Sequence, residues 1–347
     1  MAHINIFNNN AFGMVEMTDA INQIPFQPGL LGSMGLFVPR RVRTKTVSIE
    51  SKAGVLNLIQ TSERGAPLEE RQNDKRLLRD FHTTRIARGQ TISADEIQDV
   101  RAFGRESEMM QVQDMITEVM SGPTGLMSAV EMTKENMRLG AVQGIVLDAD
   151  GSTLINWFQE FGISQPAEID FDLANATPDP GSLQKKCKLV VRNMLKAAKG
   201  GWINGQSYIV GLCGDNFFDD LVGHPEIRET FLNQQAANQL RNDFGNAYDK
   251  IRYGGILFIN YRGTDDGSTI AIGDDKCKFF PAGTPGLFVE ALSPAEFMPF
   301  VNTPGKDFYA MIILDKERQA WARPEIYSYP LMMCTRPGML QRAKRTA

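Results

Sequence analysis

The chain has 347 residues, with 37 lysines and arginines against 41 aspartates and glutamates, so its net charge is −4. Hydrophobic residues make up 42% and charged residues 22%, which excludes a disordered or collagen-like chain and allows two domains or one large domain with excursions. The acidic balance gives no general field for holding phosphates, which argues against a dedicated DNA-binding protein.

No run approaches the roughly 18 apolar residues of a membrane span. Residues 1–10 lack the basic-then-apolar pattern of a secretory leader, so a soluble chain that is not secreted is expected. Cys187, Cys213, Cys277 and Cys334 are too widely and irregularly spaced for a disulfide framework or a zinc site, and read as reduced cytosolic thiols.

The first forty residues mix polar and apolar positions without a period, and Pro25, Pro28 and Pro39 alternate with Gly29, Gly32 and Gly35, as in an extended arm. Val42 to Glu50 has strand propensity, Ser51 to Gly54 is a turn candidate, and the run from Val55 to Thr61 reads as the returning strand. Arg43 and Lys45 share a face with Val47 and Ile49, so neither side of this hairpin is uniformly apolar. An isolated hairpin is marginal in water, and something outside it is expected to hold it.

From Thr61 to Asp80 ten of twenty residues are charged with interleaved signs, among them Glu63, Arg64, Glu69, Glu70, Arg71 and Arg76. Such a run is either a solvated face or a salt-bridging contact with another chain. Ser93 and Glu96 stand at capping-box spacing ahead of a short helix. Met109, Val112, Ile116 and Val119 then give a helical period that stops at Ser121-Gly122-Pro123. A second helix is predicted from Leu126 to Leu139, with Ser128 and Glu131 as its box and Gly140 as its C-cap. The seven methionines of these helices either fill a core or let one surface repack against unequal neighbours.

The segment from Gly144 to Phe158 reads as strand, Asp-Gly turn, strand. Helix Leu183–Lys199, strand Ser207–Cys213, helices Phe217–Val222 and Glu226–Leu240, and strand Ile251–Tyr261 alternate as an α/β insert, about 163 to 263. The remainder is strand-like. From Ile326 onward the chain has no acid and four bases, Arg336, Arg342, Lys344 and Arg345, which suits a solvated tail or contact with enclosed DNA or an internal partner.

One catalytic pattern needs weighing. Asp148-Ala149-Asp150 after the apolar Ile145 to Leu147, with Asp215 and Asp219 downstream, imitates a haloacid-dehalogenase-type Mg²⁺-dependent phosphohydrolase, in which one carboxylate attacks phosphorus and the other is acid and base. Ser152 stands where that family has Thr or Val, and the flanks read as a hairpin. A calcium loop fails at Thr153 and Gln159, and neither a nucleophile elbow nor a P-loop is complete. No catalytic residue, metal or cofactor is predicted.

The charged hairpin followed in order by MSAVEMTKENMRLGAVQG, GIVLDADGSTLINWFQEFGI, GLCGDNFFDDLVGHPEIRETF, IRYGGILFINYRG, FFPAGTPGLFVEALSPA and YPLMMCTRPGMLQR resembles the lambda-type major capsid proteins of tailed phages, the capsid protein E family. That resemblance spans essentially the whole chain. It implies an α+β tailed-phage major capsid fold of Hong Kong 97 type. Residues 1–40 would be the N-arm, 41–92 the E-loop, 93–162 the first part of the peripheral domain with a spine helix at 126–140, 163–263 the axial domain, and 264–347 the return to the peripheral domain.

It further implies pentamers and hexamers in an icosahedral head, assembled in the bacterial host cytoplasm around a separate scaffolding protein, with a portal at one vertex and a decoration protein. The shell would enclose double-stranded DNA held without sequence reading, and no membrane would be involved. Arg43, Lys45, Glu63, Arg64, Glu69, Glu70, Arg71 and Arg76 become candidates for contact between subunits, and Arg342, Lys344 and Arg345 for the DNA-facing interior. No cross-linked Lys and Asn pair is predicted.

Overall fold

A computed structural model describes residues 29–52, 76–97, 112–122, 124–175, 177–233, 249–263 and 271–346. After helix α1 (Leu30–Ser33) and strand β1 (Val38–Arg41), β2 (Thr46–Lys52) and β3 (Arg76–His82) form the charged hairpin, in register from Thr46 opposite His82 to Lys52 opposite Arg76. The partner of β2 is therefore 76–82 and not the run from Val55, which lies outside the described residues. The reason is visible at the base: Val47 stands opposite Phe81, both are buried, and the Phe81 ring meets Trp157 edge-on at 5.2 Å. A hairpin expected to have no uniformly apolar face is thus anchored in its own subunit at one end.

β4 (Ile86–Gly89), β5 (Ile92–Ser93) and α2 (Ala94–Ile97) follow. The predicted capping box is present: Ser93 Oγ accepts from the Glu96 amide at 3.4 Å, and the Glu96 carboxylate accepts from the Ser93 amide at 3.3 Å. Helices α3 (Val112–Ser121) and α4 (Leu126–Gln143) pack through Ile116, Val119, Leu126 and Val130. Met115 and Met120 are partly buried against that cluster, while Met109 and Met110 lie outside the described residues.

Helix α4 is a turn longer than predicted. Its N-cap is Gly125, and Ser128 instead donates its hydroxyl to the Gly122 carbonyl. Its C-cap is Gly144, at φ +86° in the left-handed region where glycine is at ease. Gly140 stays helical because the following strand folds back onto it; a Cβ there would lie 2.8 Å from the Val146 Cα.

The Asp-Gly hairpin forms between β6 (Ile145–Leu147) and β7 (Thr153–Asn156), and Asn156 caps the short α5 (Trp157–Glu160). Then come β8 (Glu168–Asp170), α6 (Ser182–Ala198), β9 (Tyr208–Cys213), α7 (Asp215–Gly223), α8 (Pro225–Asn233), β10 (Lys250–Tyr253) and β11 (Ile256–Asn260). The single strand expected at 251–261 is a tight hairpin, because Gly254 and Gly255 take φ of +59° and +86° and reverse the chain.

The return brings β12 (Lys276–Ala282), β13 (Phe288–Leu292), β14 (Tyr309–Leu314), β15 (Trp321–Ser328), β16 (Pro330–Cys334) and β17 (Gln341–Lys344). One six-stranded sheet has the order β10-β11-β9-β12-β17-β8, so the boundary expected at 263/264 runs through it. β1, β13 and β16 form a second sheet, and β14, β15 and β4 a third, with β5 paired to β15. The large sheet is covered by α6, which buries Leu183, Cys187, Val190, Met194 and Ala198 at helical spacing, and its Phe258 and Phe279 join Phe171 and Phe217 in a buried ring cluster.

The basic C-terminus is not a solvated tail. Gln341 and Ala343 are buried and alternate with half-buried Arg342 and Lys344 as β17 inserts between β12 and β8. The alternation satisfies the backbone while keeping each charge out of the core.

Candidate assembly surfaces

Helix α4 carries a face that the sequence reading missed. Glu131, Lys134, Glu135 and Arg138 follow one another at i, i+3, i+4 and i+7, and Lys134 and Glu135 are each only 1% exposed. The Glu135 carboxylate accepts the amides of Leu31 at 2.7 Å and Gly32 at 3.1 Å, tying the segment after residue 29 onto the helix. Arg138 lies 3.5 Å from Glu135 and 3.4 Å from Glu290 on β13, and Lys134 lies 3.8 Å from Glu290 and 4.1 Å from the Phe308 ring centre. Burial pushes the Glu135 carboxyl above its ordinary value despite the amides and Arg138, whereas Arg138 keeps its charge because Glu290, Glu131 and Glu135 outweigh its burial. The signal was present as charges at helical spacing within EMTKENMR, but a charged stripe ordinarily faces water.

The hairpin presents a different surface. Ser48 and Asp80 are exposed and bond to each other across the strands at 2.5 Å. Arg43 and Lys45, in the bend between β1 and β2, are exposed and, among the described residues, meet no carboxylate. Arg76 lies in β3 opposite Lys52. Glu63, Arg64, Glu69, Glu70 and Arg71 lie outside the described residues.

Of the three basic C-terminal candidates, Arg345 is engaged within the chain, ion-paired with Asp220 and, at 3.2 Å, with Asp275. Arg342 donates to the Pro166 carbonyl at 2.9 Å and stands opposite Lys278, while Lys344 stands opposite Lys276. They do not converge on one point.

Asp148 and Asp150 are exposed turn residues. Asp148 accepts the Ala149 amide at 2.7 Å and Asp150 the Ser152 amide at 2.8 Å, with Gly151 at φ +81°, so both carboxylates stabilise their own turn. Among the described residues, no three His, Cys, Asp or Glu side chains converge as a metal would require. All four cysteines are buried and free; Cys213 and Cys277 face each other across β9 and β12 with sulfurs 3.3 Å apart. Burial pushes the Cys187 and Cys334 thiols up to about 12, which keeps them unreactive.

The description of phage major capsid protein E matches residues 13–345, and the chain belongs to that family. The major capsid protein of Pseudomonas phage KPP10 is 26% identical over 88% of this chain and 89% of that one. The major capsid protein of Salmonella phage Felix O1 (isolate Felix O1-VT1) is 24% identical over 95% of each. The fold is similar to that in the capsid asymmetric unit of cyanophage Pam1, with a TM-score of 0.54, 12% identity and 98% of both chains covered. It is also similar to that of cyanophage A-1(L), with a TM-score of 0.52, 13% identity, and 98% and 99% covered.

The architecture is the tailed-phage major capsid fold of Hong Kong 97 type, and the protein is a structural component of the virion capsid rather than an enzyme. Family membership removes the phosphohydrolase reading of Asp148 and Asp150. No helix among the described residues is long and apolar enough to cross a membrane.

Proposed function

We propose that many copies of this chain assemble in the host cytoplasm into pentamers and hexamers, and these into a closed shell around double-stranded DNA. Residues 1–40 act as the N-arm, 41–92 as the E-loop, 93–162 and 264–347 as the peripheral domain, and 163–263 as the axial domain, with β12 and β17 completing the axial sheet. A separate scaffolding protein, a portal and a decoration protein are the partners. The DNA is contained rather than read, which suits a chain of net charge −4 with half-buried Arg342 and Lys344 as its interior contacts.

The observation that carries this reading is the hairpin. Its base is bound to its own subunit through Val47, Phe81 and Trp157, while exposed Ser48 and Asp80 lie one residue further out and exposed Arg43 and Lys45 stand in the bend that leads into it. An arm of this kind gains a full set of contacts by lying across a neighbour, with Glu63, Arg64, Glu69, Glu70, Arg71 and Arg76 as further ionic contacts. Negative-stain microscopy of the purified protein should show shells, tubes or capsomer rings, and sedimentation should report assemblies that weaken as salt rises. A strict monomer at high concentration and low salt, with or without scaffold, contradicts it.

A further inference from the structure

Helix α6 and its C-cap carry Lys185, Lys188, Arg192, Lys196 and Lys199, spaced three, four, four and three residues apart, all exposed. They form one stripe along the helix, which contains no acidic residue. Each neighbouring like-charge pair weakens the helix, and the bases near its N-terminus oppose its dipole. Among the described residues, no carboxylate lies within ion-pair reach of any of the five. Beside them, Leu189 and Leu195 are each 43% exposed.

The same sheet carries the opposite charge elsewhere. Along α7 and the approach to β12, Asp215, Asp219, Asp274 and Asp275 are exposed and Asp220 is half-buried, and Val222 is an exposed apolar residue on the same helix. Arg345 neutralises part of this corner by pairing with Asp220 and Asp275.

We propose that the α6 stripe of one subunit docks on the α7 aspartate corner of a second copy of this chain. The inference rests on the shell-forming reading. A closed ring is built from heterologous contacts, in which two different faces of each subunit meet, so each copy must carry both halves of a complementary pair. This chain carries both, with sign separated and apolar residues on each side. A DNA backbone would match the cations but would leave Leu189 and Leu195 in water and would gain nothing from the aspartates.

Charge swapping in the full-length chain tests it. One variant carries Lys188→Glu and Arg192→Glu, a second carries Asp219→Lys and Asp274→Lys, and a third carries all four. Each is measured for particle yield by velocity sedimentation with scaffold present, and for thermal unfolding of the dissociated subunit. The first two should lose roughly tenfold or more of particle yield with melting no lower than the parent's, because like charges then face each other, and the third should recover it.

Wild-type yield from the first variant overturns the contact, as does a third variant that folds normally but assembles no better than the other two. Normal shells from the first variant with reduced DNA content would show that the stripe holds nucleic acid instead. A parent chain that forms no shells overturns the shell reading and this contact with it.

Discussion

The six-stranded sheet and the region of the hairpin and α1 are held together by different means. In the sheet, Phe279 is completely buried between Phe171 and Phe258, and β9 buries both faces from Ile209 to Cys213. Around α4, carboxylate-to-amide bonds and buried ion pairs add direction to the burial of Leu30 and Leu31 in α1, and the hairpin is held near its base by buried Val47, by Phe81 against Trp157 and by Arg79 over the Phe161 ring. Apolar depth stabilises without demanding a direction. A buried charge network contributes little net stability but penalises any arrangement that leaves one member unpaired. The first suits a unit that must survive alone, and the second suits an element that must be held in one position relative to the rest.

That contrast can be tested by breaking each region in turn. Phe279→Ala removes a ring from the centre of the sheet and should cost about 3–5 kcal/mol, lowering the melting temperature of the dissociated subunit more than any other change named here. Lys134→Ala leaves Glu290 with Arg138 alone at 3.4 Å and should cost about 3 kcal/mol, the lower end for an opened buried pair. If hydrogen exchange in that variant rises at the Leu31 and Gly32 amides before it rises in β9, the network holds the arm; uniform exchange would show that it serves the whole subunit.

A smaller effect concerns two carboxylates that shift in opposite directions. Burial opposes the Glu226 charge, but the amides of Leu183 and Gln184, the Tyr253 hydroxyl and His224 hold the carboxyl below its ordinary range. Its contribution is therefore present above the ordinary carboxylate range and lost as pH falls through its depressed value. Glu135, raised mainly by burial, contributes stability that is full below the ordinary range and lost as pH rises through its elevated value. Glu226→Gln should accordingly flatten the acid limb of subunit stability, and Glu135→Gln the decline on the higher-pH side of the ordinary carboxylate range. Thermal unfolding across pH 3 to 8 (about the range over which carboxylates and histidine titrate) checks both, and identical profiles for the two variants would refute the opposed signs.

Much of the fold is legible in the sequence wherever local chemistry decides it. The Ser93 and Glu96 box, the Asp-Gly hairpin, α6, β9 and α7 occur within a residue or two of their expected places. Contacts distant in sequence are what it hides. The apolar run after Val55 is the nearer partner for β2, yet Phe81 supplies the ring that reaches Trp157, and nothing local announces that packing. Gly140 and Gly144 look alike as helix stops until the return of Val146 onto Gly140 is known.

The C-terminal bases likewise read as a tail because their alternation with Gln341 and Ala343 covers only four residues. Arg43 and Lys45 stood out as charges without a place in a core, whereas the buried Lys134 and Glu135 were hidden because buried charges have the sequence of exposed ones.

The most direct test of the central claim, that the hairpin belongs to assembly more than to the subunit, replaces 53–75 with a two-residue Asn-Gly turn. Lys52 and Arg76 are already paired, so such a turn can close the strands without disturbing Val47 and Phe81. Thermal unfolding of the dissociated subunit and particle yield by velocity sedimentation with scaffold are measured together. The predicted result is an unchanged cooperative transition with almost no particles. Normal particles, or a collapsed transition, would contradict the account.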